Sequence, residues 1–141
     1  GDGPERQNVE KLTRQVCMED DVYFLGKQEA VEELLAIADL FVLPSETESF
    51  GLAALEAMAC EVPVISTNTG GIPEINVQGV TGYLSNVGDV DDMAANAIKI
   101  LSDESTLLQF RKNAIAQANK FSLDSILPMY EAYYRKVIEQ K

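Results

Sequence analysis

The sequence contains no histidine, only two cysteines, and about half as many basic as acidic residues, 11 Lys and Arg against 23 Asp and Glu. Cys17 and Cys60 lack metal-ligand spacing and have no histidine to join them, so neither a zinc site nor a disulfide framework is expected. A reducing, cytoplasmic setting suits that cysteine usage. The net charge of −12 disfavours nucleic acid and anionic membrane surfaces as partners. No apolar run approaches the roughly 20 residues that span a bilayer, and no secretory leader is visible.

What is present is ordinary in bulk and uneven in placement. At 141 residues, with 46% hydrophobic and 24% charged, the chain has the size and composition of one globular domain. No Lys or Arg occurs from Gln28 to Ile98, while the same stretch holds twelve Asp and Glu. A solvated acidic surface accounts for most of those carboxylates. If the stretch binds phosphate, it must do so through backbone N–H groups, with cations supplied from elsewhere.

Short β-branched or aromatic runs alternate with helical patterns, the arrangement of an α/β parallel sheet flanked by helices. Val22–Leu25, Leu40–Leu43 and Val62–Ser66 read as buried strands, and Gly82–Leu84 as a weaker fourth. Helices are expected at Pro4–Met18, Glu29–Ala38 and Gly51–Cys60, with Pro4 just inside the first. Beyond Asp89 the pattern is helical only: about Asp91–Leu101, about Glu104–Lys120, and a last helix at about 122–140. That last helix is capped by Ser122 and kinked at Pro128. Gly1-Asp2-Gly3-Pro4 reads as a turn from a strand into a helix with no strand before it. The expectation follows that the chain is truncated at its N-terminus, with a sheet edge open to self-association.

The segment from Leu43 to Leu52 leaves a strand and enters a helix, the place where open α/β sheets bind ligands. The helix from Gly51 to Cys60 is apolar nearly all round and is expected to be buried, with Glu56 as its single charge. A buried carboxylate needs a partner, and a vicinal diol such as a ribose would satisfy both oxygens. Glu48 stands at the mouth of the same loop, and the N–H groups of Phe50, Gly51 and Leu52 open the helix as an anion site. Spacing alone leaves a blander reading equally open, with Glu48 solvated and Glu56 on an exposed seam.

The combined pattern carries a resemblance. Leu43-Pro-Ser-x-x-Glu48-Ser-Phe-Gly-Leu-x-x-Leu-Glu56-Ala-Met-Ala is followed by Pro63-Val-Ile-x-x-x-x-Gly70-Gly-Ile-Pro-Glu74 and Gly79-x-x-Gly82-Tyr-Leu. Together these resemble the C-terminal, donor-binding domain of family 4 retaining glycosyltransferases, which pair two Rossmann-like domains across a cleft in the GT-B arrangement. The resemblance runs from Gly1 to about Tyr134.

It implies that Glu56 holds the donor ribose, and that Glu48 contacts the transferred sugar as the candidate catalytic residue. The amides around Ser49, Phe50, Gly51 and Leu52 would hold sugar and diphosphate. The backbone of Leu25 and Gly26 would meet the base, and Gly1, Gly3, Gly70 and Gly71 would line the cleft. The donor class implied is a nucleoside-diphosphate sugar, most often UDP-linked, with no metal and no cofactor. An N-terminal acceptor domain, and the Arg/Lys pair that neutralises the diphosphate, would lie upstream of Gly1. The intact enzyme is expected in the cytoplasm, with a peripheral position on the inner membrane open.

Two further readings share the same residues: a nucleotide-binding module without transfer, and a GT-B-fold sugar-nucleotide epimerase or hydrolase. The pattern departs from the family at Glu61, where glycine is usual and suits a helix C-cap of positive φ. Asp89-Val-Asp91 matches the Asp-x-Asp metal motif of the other large glycosyltransferase fold, but a helix start favours capping there. Cys17 and Cys60 are expected to be inert core. Tyr130, Tyr133, Tyr134 and Val137 form a stripe on a helix that in the family reaches back to the N-terminal domain, so part of it is expected to be exposed.

Overall fold

Residues 64–67 are buried along their whole length, with Val64 and Ile65 turned to opposite faces of a sheet. A strand buried on both sides belongs in the middle of a parallel sheet covered by helices on each face. In the computed structural model, which describes residues 2–140, that is its place. Strand β2 (Val64–Thr67) lies between β1 (Phe41–Leu43) and β3 (Gly82–Ser85), both parallel to it, with Phe41 opposite Val64 and Val64 opposite Gly82. Val64 joins a core with Ala54, Ala57, Met58, Ile75, Ala114 and Ala118, while Ile65 joins Met93, Ile100 and Phe110 on the other side.

The chain divides into two units, Gly1–Val31 and Glu32–Lys141. The second holds the sheet and most helices: α2 (Val31–Leu35) from its second residue on, α3 (Leu52–Ala59), α4 (Ile72–Ile75), α5 (Val90–Leu101), α6 (Glu104–Ala118) and α7 (Leu123–Glu139), with a 3-10 turn at Asn119–Phe121 before α7. Asp89, Asp103 and Ser122 cap α5, α6 and α7, each accepting a backbone N–H three residues ahead. Asp89 therefore has the capping role expected of it. Helix α7 continues through Pro128.

The fit of β3 against β2 explains one glycine. A Cβ on Gly82 would stand 1.7 Å from the Val64 carbonyl oxygen, so only glycine permits this approach. Asn76, fully buried, seals the same junction. Its Nδ2 donates to the Ser66 hydroxyl at 2.7 Å and to the Val64 carbonyl at 3.2 Å, and its Oδ1 accepts from the Thr81 hydroxyl at 2.9 Å. A buried amide satisfied in this way costs little and holds α4 to both strands.

The first unit departs from expectation. Helix α1 spans Arg6–Gln15, shorter than Pro4–Met18, and Pro4 lies in the turn before it. Val22–Leu25 is not a strand: Tyr23 is 79% and Leu25 53% exposed, and among the described residues no strand pairs with the segment. Without a ladder partner its backbone finds other bonds: the Val22 N–H donates to the Met18 carbonyl at 3.1 Å, and the Phe24 carbonyl accepts from the Arg6 guanidinium at 3.4 Å. Here the alternation places Val22 and Phe24 inward, with the Arg6 guanidinium 5.9 Å from the Phe24 ring centroid. Cys17 is exposed at φ +56, where α1 ends in a Schellman pair of bonds, Cys17 N–H to the Arg14 carbonyl and Met18 N–H to the Thr13 carbonyl. It is not core, and Cys60 is only half-buried.

Candidate functional site

Two loops leave the carboxyl ends of adjacent parallel strands, residues 44–51 after β1 and 68–71 after β2. Parallel pairing with short connections puts them side by side. Hydrogen bonds tie the first loop to β2 and the second: the Gly71 N–H donates to the Ser49 carbonyl at 3.1 Å, the Thr67 hydroxyl to the Ser45 carbonyl at 2.7 Å, and the Thr69 hydroxyl to the Glu46 carbonyl at 3.4 Å. A Cβ on Gly70 would fall 1.6 Å from the Glu48 carbonyl oxygen, and one on Gly71 2.7 Å from that of Ser49. The glycine pair is therefore required by close approach of one loop to the other.

Gly51 ends the first loop at φ +93 as the N-cap of α3, with Ile75 and Ile72 close beneath it. The first N–H groups of the helix have no partner within it and carry the positive end of the helix dipole. Phe50 packs edge-on to Phe121 at 5.9 Å between ring centroids. Glu48 is half-buried, and its carboxylate accepts the N–H of Ser49 at 3.1 Å. The structure thus brings together Glu48, Ser49, Phe50, Gly51, Leu52, Gly70 and Gly71.

Glu56 stands one turn further along α3, and here the expectation fails. Ala54, Ala57 and Met58 face the core, while Leu52, Ala53, Glu56 and Ala59 are exposed. The helix is apolar nearly all round, yet half of those residues are small alanines whose exposure costs little, so one face stays open. Glu56 is an exposed carboxylate on the wall of a groove of about 290 Å³, shared with Leu52, Ala59, Asn119 and Ser122. Burial does not demand a partner for it. It is free to take one, since among the described residues its side chain makes no hydrogen bond or ion pair.

In the first unit, Gly26 adopts φ +69 beside the Asp2 and Arg6 side chains. The Leu25 carbonyl accepts from the Gln28 amide at 2.6 Å. A Cβ on Gly3 would meet nothing within 4 Å, so packing sets no demand for glycine there. Gly1 lies outside the described residues. Among the described residues no cluster of three His, Cys, Asp or Glu could hold a metal, and no helix is long and apolar enough to cross a membrane.

The sequence profile described as glycosyl transferases group 1 matches residues 1–117. The chain belongs to that family. It is 47% identical over 139 residues to N-acetyl-alpha-D-glucosaminyl L-malate synthase of Bacillus anthracis, covering 98% of this chain and 36% of that protein. It is 34% identical over 137 residues to 2-deoxystreptamine N-acetyl-D-glucosaminyltransferase of Niallia circulans, covering 95% of this chain and 35% of that one.

Among solved structures, sucrose-phosphate synthase of Thermosynechococcus elongatus superposes with a TM-score of 0.86 at 30% identity, covering 100% of this chain and 36% of that one. Anabaena HepE in complex with UDP gives 0.85 at 28%, covering 94% and 38%. These are GT-B glycosyltransferases, and the group 1 chain described here spans about a third of its relatives' length. The sheet of parallel strands flanked by helices is the GT-B half that the motif implied.

Sequence reasoning missed Thr67, Thr69 and Phe121, the side chains that hold the first loop. Thr67-x-Thr69-Gly70-Gly71, coming directly off a buried strand, was the available signal.

Proposed function

We propose that this chain binds a nucleoside-diphosphate sugar, with a UDP-sugar favoured, as the donor half of a retaining glycosyltransferase that moves a hexosyl group to an acceptor hydroxyl. The observation that carries the reading is the loop 44–51. It is held against Gly70 and Gly71 so that the N-terminus of α3 opens beside Glu48, with Glu56 unpartnered on the same helix. HepE, of the same fold, is described in complex with UDP and with UDP-glucose.

Each residue has a part in this reading. The Glu56 carboxylate accepts from the ribose hydroxyls. Amides of Phe50, Gly51 and Leu52 and the dipole of α3 take the diphosphate, because residues 28–98 contain no cation. Glu48 gives up its local bond to the Ser49 N–H and orients the transferred sugar, leaving that amide to the donor. Departure of the diphosphate is favoured by preorganised N–H groups, aided by cations supplied from outside residues 28–98. The exposed face of α7 is where the acceptor domain would dock. Neither a metal ion nor a protein nucleophile enters the scheme.

Calorimetry with UDP, UDP-glucose and GDP, on this chain and on Glu56→Ala, tests the reading. UDP-glucose should bind, and the variant should lose roughly tenfold or more in affinity, the loss of charge-assisted hydrogen bonds. Equal binding by the variant would sink the ribose assignment, and absence of binding to any nucleotide would sink the donor site.

A further inference from the structure

The group that places Glu48 and the amides of Phe50 to Leu52 lies outside the loop that carries them. Thr67 is the last residue of β2, 1% exposed, and its hydroxyl donates to the Ser45 carbonyl at 2.7 Å. The companion hydroxyl of Thr69, donating to Glu46 at 3.4 Å, is longer and lies at the surface. Water can replace the Thr69 bond if it is lost, but not one whose donor is sealed inside the sheet. At the far end of the loop, Phe50 leans on Phe121, and between the two anchors the Glu48 carbonyl rests where Gly70 lacks a side chain. The loop is thus pinned at Ser45 by Thr67 and at Phe50 by packing, with Glu48 and Ser49 clamped on the glycine pair.

We propose that Thr67 is a positioning residue of the donor site: its buried hydroxyl sets where Glu48 and the first amides of α3 stand against the sugar diphosphate. The proposal rests on the donor-site reading above. Oriented N–H groups lose their effect when shifted by about 1 Å, so a slack loop weakens contacts to sugar and diphosphate. Contacts to the nucleoside, made by Glu56 from within the helix, are left in place.

Thr67→Val keeps the side chain's shape and removes the hydroxyl, and Thr67→Ser returns it. The measurements are affinities for UDP-glucose and for uridine, amide hydrogen exchange over residues 47–52, and the thermal midpoint. Thr67→Val should weaken UDP-glucose binding about tenfold while uridine stays within about twofold, and Thr67→Ser should restore the parent value. Exchange over residues 47–52 should quicken about tenfold in the valine variant while β2 and β3 stay protected. Unchanged UDP-glucose affinity and unchanged exchange would overturn the proposal. So would an equal loss for both ligands alongside a lowered midpoint, which is the mark of a merely structural residue. Faster exchange confined to the loop in a protein whose parent binds no nucleotide would uphold the latch and reject the donor site. The two readings therefore fail separately.

Discussion

Replacing Glu61 by glycine should stabilise the chain. Helix α3 ends in a Schellman motif in which the Glu61 N–H donates to the Met58 carbonyl at 3.1 Å and the Val62 N–H to that of Ala57 at 3.0 Å. Glu61 is the left-handed residue of that motif, at φ +62, and Val62 after it is fully buried, so the backbone cannot relax out of the conformation. A left-handed residue bearing a Cβ costs about 1–2 kcal/mol, and glycine removes that cost. Glycine also has more freedom to lose on folding, about 0.5–1 kcal/mol, which leaves a net gain of about 0.5–1 kcal/mol. In a chain of 141 residues that gain raises the thermal midpoint by about 2–4 °C.

Urea denaturation is the assay, with a higher midpoint at an unchanged slope. Two controls separate backbone from charge. Glu61→Ala keeps the Cβ and should gain no more than the loss of the charge gives. Glu61→Gln keeps it too, and reports what removing a negative charge from the carboxyl end of a helix contributes. A glycine variant no more stable than the parent, or an alanine variant that gains as much, would refute the reasoning. UDP-glucose affinity should not change, because Glu61 ends the helix that the loop begins.

Gly70→Ala should cost about 2–4 kcal/mol, from overpacking against the Glu48 carbonyl and a left-handed φ of +56, and should abolish UDP-glucose binding; urea midpoints and calorimetry check it. Asp103, the N-cap of α6, has its carboxyl held below the usual range, chiefly by the Ser105 hydroxyl and then by Thr106 through its hydroxyl and backbone N–H. A lowered folded-state pKa gives stability that is present above the unfolded value of 3.8 and lost as pH falls through the folded one. Asp103→Ala should therefore melt lower than the parent at pH 7, and the gap should close in acid as the parent's Asp103 is protonated. A gap independent of pH down to the onset of acid unfolding would contradict this.

The sheet was legible where burial on both faces left one choice. Val62–Ser66 read as a buried strand, and β2 (Val64–Thr67) is that strand, starting just past Pro63. The C-terminal helices were legible for another reason, since Asp89, Asp103 and Ser122 announce their own caps. The site loop was readable from its motif, and so was the left-handed demand at Glu61. Val22–Leu25 misled because four β-prone residues specify an extended backbone without specifying a partner, and a strand exists only with one. Helix α2 runs only from Val31 to Leu35 rather than over Glu29–Ala38, its pattern continuing as looser turns.

Glu56 misled in a way that bears on the site itself. A sequence shows which residues of a helix are apolar, but not how much of the surrounding surface exists to cover them. Ala54, Ala57 and Met58 used all the cover that β1, β2 and α6 provide, and the Leu52–Glu56–Ala59 face was left open. The same holds for α7, which buries none of its residues: Ile126, Met129, Tyr130 and Tyr133 line, with Phe50 and Leu55, a groove of about 660 Å³. Both open faces border the loop that Thr67 and Phe121 hold. The ribose role proposed for Glu56 therefore rests on where it stands rather than on the cost of leaving it unpaired.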